Sequence, residues 1–361
     1  MIASRYTSML PLDPIQAISP ALRRTGHVLF TPFRVGRTWK LCATAYLGFA
    51  STLFVPWPLL YLAAIPWVPV GFRVFLVVGT LVFTALFFWL YLVFSRLQLA
   101  FFDIVVHRGE MVAPAWHRTA PARWRWSLLK AAVGTAISAV VAVPFGEIIV
   151  KMVQTLPRLN LAPGHPPDPR LFGAIFGFEL CLLLVMGIML LVGGLLSDFV
   201  MPPLALEDAG LAEAFRRLWV FARTSPGQLL GYIAMKFVLF LGGYIGLSVA
   251  VNLVLMLVLL VVAVVALLGY VVLHALGVGN NAMLVIGLVI GIPILYGSMF
   301  YFMIYGVGIL LTFDRAYAAY FLAGRYPLLA EALERSTPAE PLRSPIGMWP
   351  PPPPPAPSES Q

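Results

Sequence analysis

Residues 195–228 read LLSDFVMPPLALEDAGLAEAFRRLWVFARTSPGQ, a junction between two long apolar runs. The first run stops at Asp198. Two prolines follow, then an acid-rich start, then a short segment with periodic apolar positions. Leu211, Ala214, Phe215, Leu218 and Ala222 share one helical face, with Arg216, Arg217 and Arg223 away from it. That pattern predicts an amphipathic helix lying along a membrane surface. A carboxylate near a bilayer centre costs several kcal/mol, so Asp198 is expected where a span meets cytoplasmic water. Pro202 and Pro203 cannot continue an undistorted helix and are expected to turn the chain along that surface. Glu207 and Asp208 suit the positive end of the helix that follows.

The rest of the chain fits this junction. Of its 361 residues, 60% are hydrophobic and 11% charged, against about 25% charged in a soluble domain. Too few charges exist to cover a core of this size in water, which excludes an ordinary soluble enzyme or binding domain. Apolar runs predict spans at about 41–66, 74–97, 126–150, 172–197 and 283–311, with a further run over 228–275. That run is about 70 Å long if helical, against the ~30 Å of a bilayer core. It is one overlong helix, kinked or not at Gly242-Gly243, or two spans turning near Asn252. The expected fold is an all-α polytopic bundle of about six spans with interfacial helices on the cytoplasmic side. Its parts are a basic cytoplasmic segment (1–40), a six-span domain (41–325) and a disordered Pro-rich cytoplasmic tail (326–361).

Charge orients the bundle. The net charge of +9 reflects Lys and Arg gathered beside cytoplasmic span ends rather than a nucleic-acid surface. Twenty basic residues fall on the side of both termini, and four (Arg73, Lys151, Arg158 and Arg170) fall on the other. Both termini are therefore expected in the cytoplasm, and the protein in the inner (cytoplasmic) membrane. The first forty residues hold no compact apolar h-region, so the first span is expected to serve as the targeting signal. Cys42 and Cys181 sit in apolar runs and read as small packing residues.

An internal echo runs through the chain. ISPALRRTG at 18–26, VAPAWHRTA at 112–120 and LAEAFRRLW at 211–219 place Arg24, Arg118 and Arg217 in register. Each precedes an apolar hairpin, and each hairpin ends in an aspartate: Asp103, Asp198 and Asp314. Arg24 to Asp103 spans 79 residues, Arg118 to Asp198 spans 80, and Arg217 to Asp314 spans 97. An extra span in the third unit would put Asp314 on the wrong face. One overlong fifth helix is therefore the preferred reading of a possible threefold hairpin repeat.

IQAISPALRRTGHVLFTPFRVGRTWK near the start, SDFVMPPLALEDAGLAEAFRRL in the middle and FDRAYAAYFLAGRYPLL near the end resemble an uncharacterised bacterial family of integral membrane proteins. These motifs are also distantly similar to the membrane domain attached to some glycerophosphodiester phosphodiesterases. The resemblance runs from about residue 14 to 328. It implies six helices and an inner-membrane location, and it brings no catalytic residues. No phosphodiesterase catalytic domain is visible in the sequence.

Candidate sites are few. Glu179 falls about seven residues into the fourth predicted span, and intramembrane carboxylates usually face a bundle interior or a wet cavity. Glu147 and Lys151 are an i,i+4 pair near the outer end of the third. With Asn252, these four form a possible intramembrane polar site, either a proton or cation site or a helix-packing contact. Arg23, Arg24, Arg118, Arg216 and Arg217 are possible lipid-headgroup contacts. The five histidines show no close metal spacing, and GVGNNA at 277–282 follows an apolar helix rather than a strand, so neither a metal nor a nucleotide cofactor is expected. The proline run at 350–355 reads as polyproline II.

Three functions fit. The first expectation is a non-enzymatic envelope scaffold or assembly component, with membrane lipids and an unknown membrane protein as partners and no nucleic acid. The alternative is a transporter or lipid-handling protein using the polar cluster. An intramembrane enzyme comes last.

Overall fold

The computed structural model describes residues 13–52, 69–155 and 169–336, and its described elements are helices. In chain order they are α1 (Ile18–Phe30), α2 (Val35–Ala50), α3 (Val70–His107), α4 (Val112–Arg118), α5 (Arg123–Thr155), α6 (Pro169–Leu195), α7 (Met201–Leu206), α8 (Leu211–Thr224), α9 (Pro226–Ala275), α10 (Asn280–Ala323) and α11 (Pro327–Arg335). Among the described residues, four stretches are long and apolar enough to cross a membrane: Val70–His107, Ile175–Leu206, Pro226–Ala275 and Gly291–Ala323. That is the pattern of a multi-pass membrane protein. The first predicted span begins on α2 but passes after Thr52 beyond the described residues. The third falls on α5, 33 residues long, whose side chains from 142 onward are also outside them. The tail expected to be disordered from 326 begins instead as α11, Pro327–Arg335, which buries Leu329, Ala330 and Leu333 against the bundle; its Pro-rich part lies outside the described residues.

The junction at 195–206 departs from the sequence reading. The prolines do not turn the chain. α6 runs through a π-helical turn, Leu196–Val200, straight into α7, with the prolines in its first turn. The Met201 N–H reaches back five residues to the Leu196 carbonyl, and Pro202 has no N–H to offer. The turn comes later, between α7 and α8, where Asp208 takes a left-handed φ of 54°. The long apolar run also resolves: α9 is one helix of 50 residues, with no break at Gly242-Gly243 or Asn252.

Buried residues gather at one end of the bundle. One apolar cluster joins Ala17 and Ala21 of α1, Phe101 and Val105 of α3, Phe199 of the π turn, Tyr232 of α9 and Tyr317 of α10. These residues flank Asp103, Asp198 and Asp314, so the three aspartate corners meet at the same end. A second cluster packs α3, α7 and α11 around Trp126. Away from this end, the most apolar stretches of α6 and α9 bury no side chain within the chain.

Glycine sets the closest approaches. A Cβ on Gly308 of α10 would lie 2.4 Å from the Cβ and 2.5 Å from the Cα of Cys42 on α2. On the other side of α2, a Cβ on Gly48 would lie 3.0 Å from the Cα of Gln98 on α3. Backbone cannot move aside as a flexible side chain does, so α2 is wedged between α3 and α10 by these two residues. Gly308→Ala is expected to destabilise by at least the 1–3 kcal/mol typical of overpacking, roughly. Gly26→Ala on α1, with nothing within 4 Å, is expected to leave the thermal midpoint unchanged or raise it, because Ala favours the helix by about 1 kcal/mol. Melting of both variants in detergent checks this, and equal midpoints would refute the wedge.

Candidate functional site

The π turn creates the centre of the packed end. Its geometry leaves the Ser197 carbonyl to the Arg315 guanidinium, Nη1 donating at 2.9 Å, and the same nitrogen lies 3.3 Å from Asp198 Oδ1. From α9, Lys236 Nζ reaches Asp198 Oδ2 at 2.5 Å and Asp314 Oδ1 at 3.1 Å. The Tyr232 hydroxyl donates to Asp198 Oδ2 at 2.9 Å. Two carboxylates thus face two cations, and the Asp198 side chain is only 1% exposed. Asp198 does not meet water, contrary to the sequence expectation. Cations and donors from α9 and α10 take the place of solvent, which is how a buried charge is tolerated. An aromatic floor supports the group: Tyr232 stacks on Tyr317 at 5.5 Å and on Phe321 at 4.4 Å, and meets Phe199 edge-on at 5.4 Å.

The second aspartate corner is built the same way. Asp103 accepts from Arg118 at 2.5 and 3.1 Å and pairs with His107 at 3.0 Å. Two residues on, the helix end is closed by Arg24, whose Nε donates to the Val105 carbonyl at 2.9 Å and Nη2 to that of Val106 at 2.6 Å. Arg24 also reaches the Ser336 carbonyl and hydroxyl after α11. A guanidinium placed on the last carbonyls of α3 and α11 satisfies acceptors that a helix end leaves open.

Lys130 is wholly buried on α5. Its ammonium donates to the Ser51 carbonyl and hydroxyl and, at 2.7 Å, to Gln98 Oε1. The rings of Tyr91 and Trp126 stand 5.4 and 5.3 Å away. The cation therefore caps the C-terminal end of α2, where the helix dipole is negative.

The headgroup candidates divide. Arg24 is 2% exposed and fully engaged inside the chain. Arg118 is half exposed but bound to Asp103. Arg217 is held at 2.9 Å by Glu207 and 3.0 Å by Glu213. Arg23 is exposed on α1. Arg216, with a side chain 72% exposed, pairs among the described residues with Glu213 one turn away at 2.7 Å. Arg216 lies on the face of α8 that also exposes Phe215, Trp219 and Val220, with Arg223 over the Trp219 ring at 4.5 Å. Contrary to the expected segregation, Phe215 lies outward with the arginines.

The intramembrane candidates are not gathered into one pocket by the described side chains. Glu179 is exposed on α6. Asn252 is exposed on α9 and donates back to the Ser248 carbonyl at 2.7 Å. Glu147 and Lys151 share α5, and their side chains lie outside the described residues. Sequence reasoning missed Lys236, Tyr232, Arg315, Lys130 and Gln98. One signal was present: Lys236 is an isolated ionisable residue inside an otherwise apolar run, with Tyr232 one turn before it.

A family model described as "Family of unknown function (DUF7544)" matches residues 12–331, and the chain belongs to that family. No curated protein and no solved structure matches it.

Two measurements probe these contacts. Asp198→Asn would leave Arg315 buried without its carboxylate and Lys236 with Asp314 alone, and is expected to cost about 3–5 kcal/mol. Thermal melting tests it, and an unchanged midpoint would show the pairs to be idle. Outside the spans, the Arg217 guanidinium holds Glu207 below the usual carboxylate range, helped by the Tyr326 hydroxyl against a burial effect of opposite sign. A depressed carboxyl adds stability that is full above the unfolded value, about 4.3, and is lost as pH falls through the lower folded value. The midpoint gap between wild type and Glu207→Gln is therefore expected to close below about pH 4. A gap constant with pH would remove Glu207 from the acid response.

Proposed function

We propose that this member of the family is a six-span protein of the inner (cytoplasmic) membrane, both termini cytoplasmic, that acts as a non-enzymatic scaffold or assembly component. Its partner is another membrane protein, seated along α9. The observation that carries this reading is the length and exposure of that helix. From Phe237 to Val272 it is almost wholly apolar and buries no residue in its own chain. By helical rise this stretch is about 54 Å long. Tilted even by about 40°, it spans roughly 41 Å along the bilayer normal, against a hydrocarbon core of ~30 Å. Lipid tails alone leave about 10 Å of apolar helix uncovered by this arithmetic, and an exposed apolar surface of that kind marks an interaction site. α10 packs along one flank of α9 and leaves the others open.

Lipid is the second partner in this reading. α8 offers Trp219, Phe215 and Val220 beside Arg216 and Arg223, a combination suited to the acyl boundary and anionic headgroups of the cytoplasmic leaflet. The three hairpins, each entered by a basic helix and closed by an aspartate, supply a frame that holds α8 and α9 in place. The transporter alternative needs a path for a solute. The cavity found beside the charge cluster is about 10 Å3, which admits no solute larger than water.

The test is site-specific photocrosslinking in native membranes from Leu260 and Val271, 61% and 57% exposed on α9. A crosslinked protein of one defined mass at both positions is expected. Adducts to lipid only, at both positions, would sink the assembly reading and leave a lipid-handling one.

A further inference from the structure

Beside the Asp198 group, between α9 and α10, lies a cavity of about 10 Å3. Leu239, Leu310 and Phe313 form its apolar wall, and Lys236, Asp314 and Tyr317 supply its polar lining. Tyr317 is 1% exposed, and its buried hydroxyl has no hydrogen-bond partner among the described residues. Its ring is held in place by stacking on Tyr232, 4° from parallel. Buried hydroxyls in folded proteins are almost always satisfied, by protein or by ordered water. Lys236 has three N–H donors. Two face Asp198 Oδ2 and Asp314 Oδ1, which leaves one to give.

We propose that this cavity is a binding site for one water molecule, held by the Tyr317 hydroxyl, the Asp314 carboxylate and the Lys236 ammonium. The volume matches a single water, which needs roughly 10–15 Å3 and two to four polar partners. Its mostly apolar lining includes three residues that carry polar groups of mixed character, an ammonium that donates, a carboxylate that accepts and a hydroxyl that does either. A cation there would stand against Lys236, and an anion against Asp314, so a neutral molecule with both donor and acceptor is the occupant that fits. The water completes a hydrogen-bonded chain from the Tyr232 hydroxyl through Asp198 and Lys236 to Tyr317. It ties the π turn to α9 and α10 and makes the charge group singly hydrated at its α10 side. This site is independent of what covers the outer part of α9.

X-ray hydroxyl-radical labelling of the full chain in nanodiscs tests it, because a bound water delivers the radical to side chains that bulk solvent does not reach. Tyr317 is expected to label about tenfold faster than Phe102, which is 2% exposed in a wholly apolar cluster. Tyr317→Phe gives a second reading by sign. With the water present, the variant loses a hydrogen bond and its thermal midpoint falls. In a dry cavity the substitution removes an unsatisfied hydroxyl and the midpoint rises. Protection of Tyr317 equal to that of Phe102, or an unchanged or raised midpoint for Tyr317→Phe, overturns the site.

Discussion

A carboxylate taken out of water keeps its charge only where cations and hydrogen-bond donors replace the lost solvent. Asp198 meets that condition with Lys236, Arg315 and the Tyr232 hydroxyl, drawn from two other helices. The rest of the packed end follows from it. Removing a charged member leaves a buried partner less compensated in a low-dielectric setting, so the three helices are held to one relative position. The π turn belongs to the same arrangement: a regular α-helix through residues 196–201 would return the Ser197 carbonyl to Met201 and take it from Arg315.

Two further cations close the same end. Arg24 gathers carbonyls at the ends of α3 and α11, and Lys130 binds the carbonyl and hydroxyl of Ser51 at the end of α2. Each basic side chain that hydrocarbon would reject is used to stop a helix whose last carbonyls hydrocarbon would also reject. The packed end is thereby polar in content and closed to solvent, while the far parts of α6 and α9 are apolar in content and uncovered. This division leaves one end of the bundle closed and cross-linked by charge pairs, and the long helices beyond it uncovered by their own chain. A single water beside Asp314 is compatible with that arrangement, since it joins groups already held by the surrounding pairs.

The apolar runs were legible because hydrocarbon demands an unbroken stretch of about twenty apolar residues, and composition alone reports that. The three aspartates were legible as corners for the same reason, since each interrupts such a stretch. The prolines misled. Pro202 and Pro203 read as a turn, yet the helix continues through them after a π turn, and the Ser197 carbonyl left without a helical N–H is taken by Arg315. The headgroup arginines also misled in part: Arg24 and Arg217 look alike in register, but one ends a helix and the other binds acids on α7's exit and α8. Sequence register reports a position on a helix and is silent about what faces it.

By itself, the order of residues determined that this chain is helical and carries several helices long and apolar enough to cross a membrane. Those properties depend on the solvent each residue tolerates, which is a local matter. Only the tertiary structure decided that Asp198 is buried and paired and that Lys236 stands between two carboxylates. Those outcomes depend on distances between residues up to 117 positions apart, and a charge pair over such a separation exists only once packing has brought its two halves together.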